Sequence, residues 1–499
     1  MDRDLVTRWL LAIAIMASGI AGMNFGVYLL RYIVVTPAEI VLSLIFFLLV
    51  TSNTVFNAFG CYYYLRSYGL NTFIPKKLRA YPRVAVAIPA RNEDEQMVKR
   101  NLESITRLDY PKDKLRIFLL DNSTNRSEEL EEFCKNFGVN YVYMENPAKL
   151  KSYVMNKFLD LIDEEYVAIF DADEYLTDPS FLKETLPCLD GNAGFVQTEK
   201  QFAPGSFFAN GVNTYYSFFY KFMQPVRNLC GSTMFCGSCG IVRKSVVKQV
   251  GGFPATPTED AAFAFKADLA GRGGVFVLKT YALGEAIEHF ETFLSQQWRY
   301  TIGNVWILIE YLQNFFKLKA EKHIHYLAQT FGYAYLSSLF IFYSLLSIIF
   351  VISDITLRSI NSQVFLPQHL KMFAASYMIA IFLLVVVGGR LYFGSFRLGI
   401  MAMFLNFSTA FVRTKAMIVG FLNFRPRFIM SRQSKFKHSI IEVLKANLTE
   451  TSYSVVLLSL SLVSFLRNDV VSAFWLFWYS TLFFCSFLFS YGTEVKQLF

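Results

Sequence analysis

The sequence is short of charge. Asp, Glu, Lys and Arg make up 17% of its 499 residues, against about 25% in an ordinary soluble domain. That deficit excludes a wholly water-soluble globule and assigns part of the chain to lipid. Histidine is scarce, with 5 residues, and the 7 cysteines are scattered. Only Cys236 and Cys239 form a Cys-x-x-Cys pair, and no second pair or nearby histidine completes a zinc site. The thiols read as small buried groups in a reducing compartment. There is no internal repeat and no low-complexity tract. No nucleic-acid motif accompanies the net charge of +9, so the charge fits a membrane face under the positive-inside rule, with no nucleic-acid partner. What is abundant is apolar: 54% hydrophobic residues, with 52 Phe and 28 Tyr, side chains suited to lipid cores and interfaces.

The apolar residues are grouped. Leu10 to Leu30 is uncharged and long enough to cross a bilayer. Its length, and a second such run from Ile40 to Leu65, argue against a cleaved signal peptide. A short loop with Arg31, Pro37 and Glu39 joins them. Arg3 and Arg8 precede the first run, and Arg66, Lys76, Lys77, Arg79 and Arg83 follow the second. Basic residues on both outer flanks place those flanks, and the domain that follows, in the cytoplasm. Phe293 to Lys319 mixes aromatics with Arg299, Glu310, Lys317 and Lys319, which predicts helices lying at the membrane surface. Tyr326 to Ser353, Met372 to Gly389, Thr451 to Leu466 and Val470 to Gly492 are further candidate spans. Leu391 to Val419 is interrupted by Arg397, Arg413 and Lys415, which predicts an interfacial helix. The basic stretch with Arg425, Arg427, Arg432, Lys435 and Lys437 is expected to be cytoplasmic. The expected plan is two spans over 1–70, a catalytic domain over 81–290, interfacial helices over 291–322 and about four spans with an interfacial helix over 323–499.

Between Tyr81 and His289 the composition becomes that of a soluble domain. Arg83 to Ala90, Leu115 to Asp121, Val139 to Glu145 and Tyr166 to Asp171 are strand-like. Charged helical segments separate them, such as Glu93 to Arg107 and Ser127 to Phe137. Strands alternating with helices predict an open, largely parallel sheet in a nucleotide-binding, Rossmann-like α/β domain. Ligands in such sheets bind outside the carboxyl ends of the strands, and polar motifs sit at those ends here.

Asp171-Ala172-Asp173 closes the strand that reads Tyr-Val-Ala-Ile-Phe. Most Asp-x-Asp triplets are solvated turns. After a buried strand, two carboxylates two apart can share a hard cation, and a nucleotide diphosphate needs such an ion to neutralise the departing phosphate. Asp121-Asn122-Ser123 reads either as a turn or as a carboxylate on the base or ribose of a nucleotide. Glu93, in Ile88-Pro89-Ala90-Arg91-Asn92-Glu93, is a nucleotide contact or a helix start. Thr258-Glu259-Asp260 has the pattern of a helix N-terminus. A carboxylate at such a tip is also where a base is needed, to take the proton of an attacking hydroxyl. In Gln296-Gln297-Trp298-Arg299-Tyr300, Arg299 suits the leaving diphosphate and the Tyr300 ring suits an acceptor sugar, with Trp298 and Thr258 counted on the acceptor side. His289 is read as a structural histidine or a further metal ligand.

The order of these motifs resembles the family 2 membrane glycosyltransferases, which include cellulose, hyaluronan, chitin and mannan synthases. The family's pattern runs D, D-x-D, T-E-D, Q-x-x-R-W. Here the positions are Asp121, Asp171 with Asp173, Thr258-Glu259-Asp260, and Gln296 with Arg299 and Tyr300. Lys151 and Asn156 match the Lys-Ala-Gly-x-x-Asn segment at those two positions, and Val196-Gln197-Thr198 and Phe235-Cys236-Gly237-Ser238 also resemble family segments. The resemblance spans Tyr81 to Gly303. It implies a GT-A fold, an inverting transfer, and a nucleotide-diphosphate sugar, usually UDP-linked, with Mg2+ or Mn2+. It implies that Asp121, Glu93 and Lys151 bind the nucleotide and that Asp173 holds the metal, with Asp171 on the donor. Asp260 is then the base, Arg299 and Gln296 contact the diphosphate, and Tyr300 meets the acceptor. The chain departs where Tyr300 replaces the final Trp, where the Lys segment lacks its glycine, and in the loop after Arg425. The expected activity is a polysaccharide synthase in the cell membrane. The alternatives are a lipid glycosyltransferase, a nucleotide-regulated transporter, which the uncharged longest spans disfavour, and an inactive scaffold, which the retained carboxylates disfavour.

Overall fold

Ten described strands form two sheets in the computed structural model, which describes residues 3–28, 30–31, 36–70, 75–145, 150–353, 394–422 and 439–495. They are β1 (Val84–Ala90), β2 (Leu115–Asp121), β3 (Asn140–Tyr143), β4 (Tyr166–Ile169), β5 (Glu174–Leu176), β6 (Phe195–Thr198), β7 (Gln201–Phe202), β8 (Gly240–Arg243), β9 (Val275–Val277) and β10 (Ala282–Gly284). The main sheet runs β3-β2-β1-β4-β8-β6-β9, and β5-β10-β7 form a small second sheet. β1 is apolar along its whole length because both faces are covered. Val84, Val86 and Ile88 enter one core with Leu102 and Phe170, while Ala85 and Ala87 enter the other with Phe158 and Val167.

The main sheet is parallel from β3 to β4 and again between β6 and β9. β8 runs antiparallel to both its neighbours, β4 and β6, so the sheet is largely parallel, as expected, and mixed in the GT-A-like way through this one strand. The reason is a long excursion through helix Phe207–Phe218, from which the chain returns in the opposite direction. The chain passes from β1 outward to β2 and β3, then crosses back to place β4 on the other side of β1. That is a topological switch point, and the crevice it opens lies at the carboxyl ends of β1 and β4. Ala90 stands opposite Asp121 in the register, and Ala87 opposite Ile169, so the three strand ends meet at one edge.

Five described helices are long and apolar enough to cross a membrane: Asp4–Tyr28, Pro37–Arg66, Tyr335–Ile352, Leu448–Leu466 and Ser472–Val495. The second begins with a Thr36–Glu39 capping box and Pro37, which satisfies otherwise orphaned N–H groups. Arg8 is buried rather than a free flanking charge. It ion-pairs with Asp4 at 3.0 Å and donates to the Tyr64 carbonyl and, at 2.9 Å, to Ser67 Oγ. It thereby ties the start of the first helix to the end of the second.

Tyr326 to Ser353 is not one uninterrupted helix. Helix Ala320–Leu327 passes through a π-helical turn, Ala328–Gly332, into helix Tyr333–Ile352. Phe293 to Lys319 is one long helix, Phe290–Gln313, followed by a short 3-10 turn. Leu391 to Val419 is two helices, Phe396–Ser408 and Ala410–Phe421. Arg413, expected at a surface, is 2% exposed, because five polar acceptors from other turns and helices surround it. Met372 to Gly389 and the stretch from Arg425 to Lys437 lie outside the described residues.

Candidate active site

The loops after β1 and β2 are stapled to each other. Asn92 takes a left-handed conformation (φ 54°), which Asn tolerates better than most residues. Its N–H donates to Ser123 Oγ at 2.8 Å, and its side-chain oxygen accepts the Thr124 N–H at 2.9 Å. Glu93 stands exposed at this rim and accepts the Arg91 N–H. Asp121 is fully buried, and its oxygens accept the Ser123 N–H (2.9 Å) and the Tyr141 hydroxyl. Beside it, the side-chain oxygen of Asn122 is buried with no hydrogen-bond partner, so Asn122 is the group at this strand end that still lacks one.

Asp171 and Asp173 follow β4, as the strand pattern predicts, but their surroundings are more elaborate than the motif. Lys151, at the start of helix Lys151–Leu161, ion-pairs with Asp171 and donates to the Gly237 carbonyl at 3.0 Å. Lys200 reaches Asp171 at 3.3 Å and Glu174 at 2.9 Å, and also donates to Ser238. Glu174 is buried, and it accepts the Asp171 N–H at 3.1 Å and the Ser238 hydroxyl at 2.6 Å. Motif reading passed over Lys200 and Glu174. The one local signal was a charged pair flanking two apolar strand ends. Burial alone would raise the Asp171 carboxyl, but Lys151 and Lys200 outweigh it and hold the group well below the usual carboxylate range.

Asp173 is different. No described group hydrogen bonds or ion-pairs with its carboxylate, and burial beside Asp171 and Glu174 pushes it up to about 7. A half-buried carboxylate with unmet negative charge suits a divalent cation with hard oxygen ligands. Among the described residues no three His, Cys, Asp or Glu side chains form a metal cage. Asp173, with Asp171 beside it, therefore fits a cation whose other ligands are phosphate oxygens and water. His289 lies elsewhere, with its Nδ1 3.2 Å from Glu494.

Helix Glu259–Leu269 begins beside these groups. Thr258 does not cap it. The first-turn contact is Asp260 Oδ1 accepting the Ala261 N–H at 2.8 Å. Gly237 (φ 81°) lets the loop pass close to Asp260, since a Cβ there would lie 2.9 Å from Asp260 Oδ2. Gly237 thus touches Lys151 through its carbonyl and Asp260 through its Cα. Burial raises Asp260 above 3.8, and burial next to Asp260 pushes Glu259 up to about 7, with Lys151 and Arg299 acting in the opposite direction. Asn156 is structural, exchanging two hydrogen bonds with the Phe253 backbone at 2.8 and 2.9 Å.

Helix Phe290–Gln313 closes the site. A Cβ on Gly303 would lie 2.0 Å from Thr258 Oγ1, so only glycine lets this helix approach so closely. Gln296 accepts the Tyr216 hydroxyl at 2.9 Å. Thr258, Asp260 and Tyr300 border a cavity of about 800 Å³, together with Lys200 and Cys236. Trp298 lies outside its lining, on the opposite side of the helix from Tyr300, with its indole N–H buried and unpartnered. Burial pushes the Cys236 thiol in the cavity wall up to about 12. From Asp260 the cavity runs between the long apolar helices, past Tyr215, Tyr333, Phe56 and Leu339 to Phe350.

A mixed GT-A-like sheet with carboxylates at its switch point defines the class: a nucleotide-sugar-type glycosyltransferase domain. Residues 85–251 match the family described as "Glycosyl transferase family 2", and the chain resembles the cellulose-synthase-like members of that family. It is 33% identical over 232 residues to a "Cellulose synthase catalytic subunit [UDP-forming]" of Pseudomonas fluorescens (strain SBW25), covering 45% of this chain and 31% of that protein. It is 30% identical over 239 residues to the protein of the same description from Xanthomonas axonopodis pv. citri (strain 306), covering 46% of this chain and 32% of that one. The chain thus spans less than a third of the length of these relatives. A solved mannosyltransferase from Pyrobaculum calidifontis, in complex with GDP-Man and Mn2+, superposes at a TM-score of 0.48 with 16% identity, covering 76% of this chain and 99% of that one.

Proposed function

We propose that the protein transfers a sugar from a nucleotide-diphosphate sugar, with inversion, to a growing polysaccharide held in the cavity beside Asp260. The observation that carries this is one continuous chain of contacts. It runs from Lys151 and Asp171 through Gly237 to Asp260, whose far side borders a cavity long enough for an extended acceptor. The relatives' description as cellulose synthases supports the polymer product. The five apolar helices, with basic residues at their outer flanks, support a multi-pass membrane protein with its catalytic domain on the cytoplasmic side.

In this reading Asn122 and Glu93 orient the nucleotide, with Asp121 holding their loop in place. Lys151 and Arg299 face the diphosphate, and Gln296 fixes the helix that carries Arg299. A divalent cation, Mg2+ or Mn2+, held by Asp173 supplies positive charge to the departing diphosphate. Asp260, its carboxyl raised by burial, takes the proton from an acceptor hydroxyl in its carboxylate form as that oxygen bonds to the anomeric carbon. The bond from that carbon to the phosphate oxygen breaks, and the nucleoside diphosphate leaves with the electron pair. Tyr300 offers its ring to the acceptor sugar, with Glu259 backing Asp260 electrostatically.

A second reading, transfer to a lipid acceptor, is favoured by the aliphatic and aromatic walls of the cavity beyond Tyr333. The deciding experiment incubates purified protein with UDP- and GDP-sugars, reads nucleotide release, and sizes the product. A labelled polymer supports the first reading. A single-sugar glycolipid replaces it with the second, and no release from any donor refutes both.

A further inference from the structure

Of the described cations in the cavity wall, Lys200 is paired with Asp171 and Glu174, whereas Arg413 has no carboxylate partner. It is 2% exposed and borders the cavity among the apolar helices. Its guanidinium donates to Ser337 Oγ (2.6 Å), Asn406 Oδ1 (3.2 Å), the Tyr333 carbonyl (3.4 Å), the Tyr215 hydroxyl and Gln297 Oε1. The Tyr333 ring lies 4.2 Å from its centre. Every one of these partners is neutral. Among the described residues no carboxylate pairs with Arg413, and its Nε is buried with no acceptor. A full charge out of water without a counter-ion is costly, and its polar cradle compensates hydrogen bonds but not charge. Gln329, on the same stretch of wall, also keeps a buried side-chain oxygen without a partner.

The position is as informative as the charge. Tyr215 packs on Tyr216, which packs on Tyr300, so Arg413 lies just past the acceptor platform. Beyond it the cavity follows helix Tyr333–Ile352 past Leu336, Leu339, Tyr343 and Leu346 to Phe350, a length of about 25 Å at 1.5 Å per residue. One charged ring with an apolar limb behind it is the complement of an amphiphile with an anionic head.

We propose that Arg413 binds the phosphate of a lipid whose hydrocarbon lies in this limb, with the head directed toward Asp260. The proposal rests on the reading that the cavity holds the acceptor, and it assigns that acceptor, or its membrane anchor, a phosphate. The terminal nitrogens of Arg413 are already taken by its neutral acceptors, so what it offers a phosphate is its uncompensated charge and the one open N–H, at Nε.

The test uses the purified full chain in a neutral detergent and three probes sharing one tail: dodecyl phosphate, dodecyl glucuronide and dodecyl glucoside. Wild type is expected to bind dodecyl phosphate about tenfold to a hundredfold more tightly than the glucoside, the range of a charged hydrogen bond. Arg413→Gln is expected to lose that preference, and Arg413→Lys to keep part of it. The proposal is overturned if wild type shows no preference, if Arg413→Gln retains it, or if the glucuronide binds as tightly as the phosphate, which would mark a site for an acidic saccharide. Should Arg413→Gln fail to fold, the three probes on wild type still decide. Nucleotide release measured on the same preparation separates the two claims. Release without phosphate preference sinks this inference alone, whereas phosphate preference without release sinks the glycosyltransferase reading.

Discussion

Replacing Lys200 by Met exposes what holds the carboxylate cluster together. The Lys200 ammonium is 2.9 Å from Glu174 and 3.3 Å from Asp171. Asp171 keeps Lys151 as a counter-charge after the change, but Glu174, whose side chain is 4% exposed, loses its only cation among the described residues. Breaking a buried pair from one side costs about 3–5 kcal/mol. For a domain of this size that corresponds to a fall in Tm of about 6–20 °C. Adding Glu174→Gln should recover most of it. The glutamine oxygen can still accept the Asp171 N–H, and its amide can donate to Ser238 Oγ, which Lys200 no longer occupies. Glu174→Gln alone should cost less than Lys200→Met, because Lys200 then retains Asp171. The assay is thermal unfolding in detergent for wild type, both single variants and the double. A Lys200→Met protein within about 1 kcal/mol of wild type, or a double variant no better than it, would refute the reasoning.

Asp260→Asn keeps the oxygen that accepts the Ala261 N–H but not the basicity, so kcat should fall by about 10²–10⁴ with donor KM changed only a few-fold. Steady-state kinetics check this. Because burial raises the Asp260 carboxyl above 3.8 and the carboxylate is the working form, kcat/KM should fall as pH drops through that raised value. Residual activity of Asp260→Asn should lack this acid limb in a pH–rate profile. Gly303→Ala places a methyl 2.0 Å from Thr258 Oγ1; the displacement should cost about 1–3 kcal/mol of stability and lower kcat while nucleotide binding, measured by calorimetry, stays near wild type.

The β1, β2 and β4 side of the sheet was legible because these strands are apolar runs that stop abruptly at polar residues, with the candidate-site carboxylates Asp121 and Asp171 at the stops of β2 and β4. The side beyond β4, where β8 reverses direction, was not. β6, β8 and β9 are three or four residues long, too short for a period, and which strand β8 joins is decided by contacts remote in sequence. Lys200 and Glu174 escaped for a related reason: a buried ion pair between residues 26 apart looks, in sequence, like two solvated charges. Arg413 was read as a surface residue because a cation inside an apolar run normally seeks water. Its acceptors, Tyr215, Gln297, Ser337 and Asn406, come from four other stretches of chain. Gln297 shows the limit of motif reading most clearly. Its neighbour Gln296 carries the motif, yet Gln297 is the fully buried one, joined to Tyr216 at 2.8 Å and to Arg413.

The central claim is that Asp173 holds a divalent cation against a nucleotide diphosphate at the switch point of the sheet. Electron paramagnetic resonance of Mn2+ titrated into purified protein, with and without UDP or GDP, tests it directly. The account predicts bound Mn2+ that depends on nucleotide in wild type and disappears in Asp173→Asn, with the folded state intact. Nucleotide-dependent Mn2+ binding of equal strength in Asp173→Asn would contradict it.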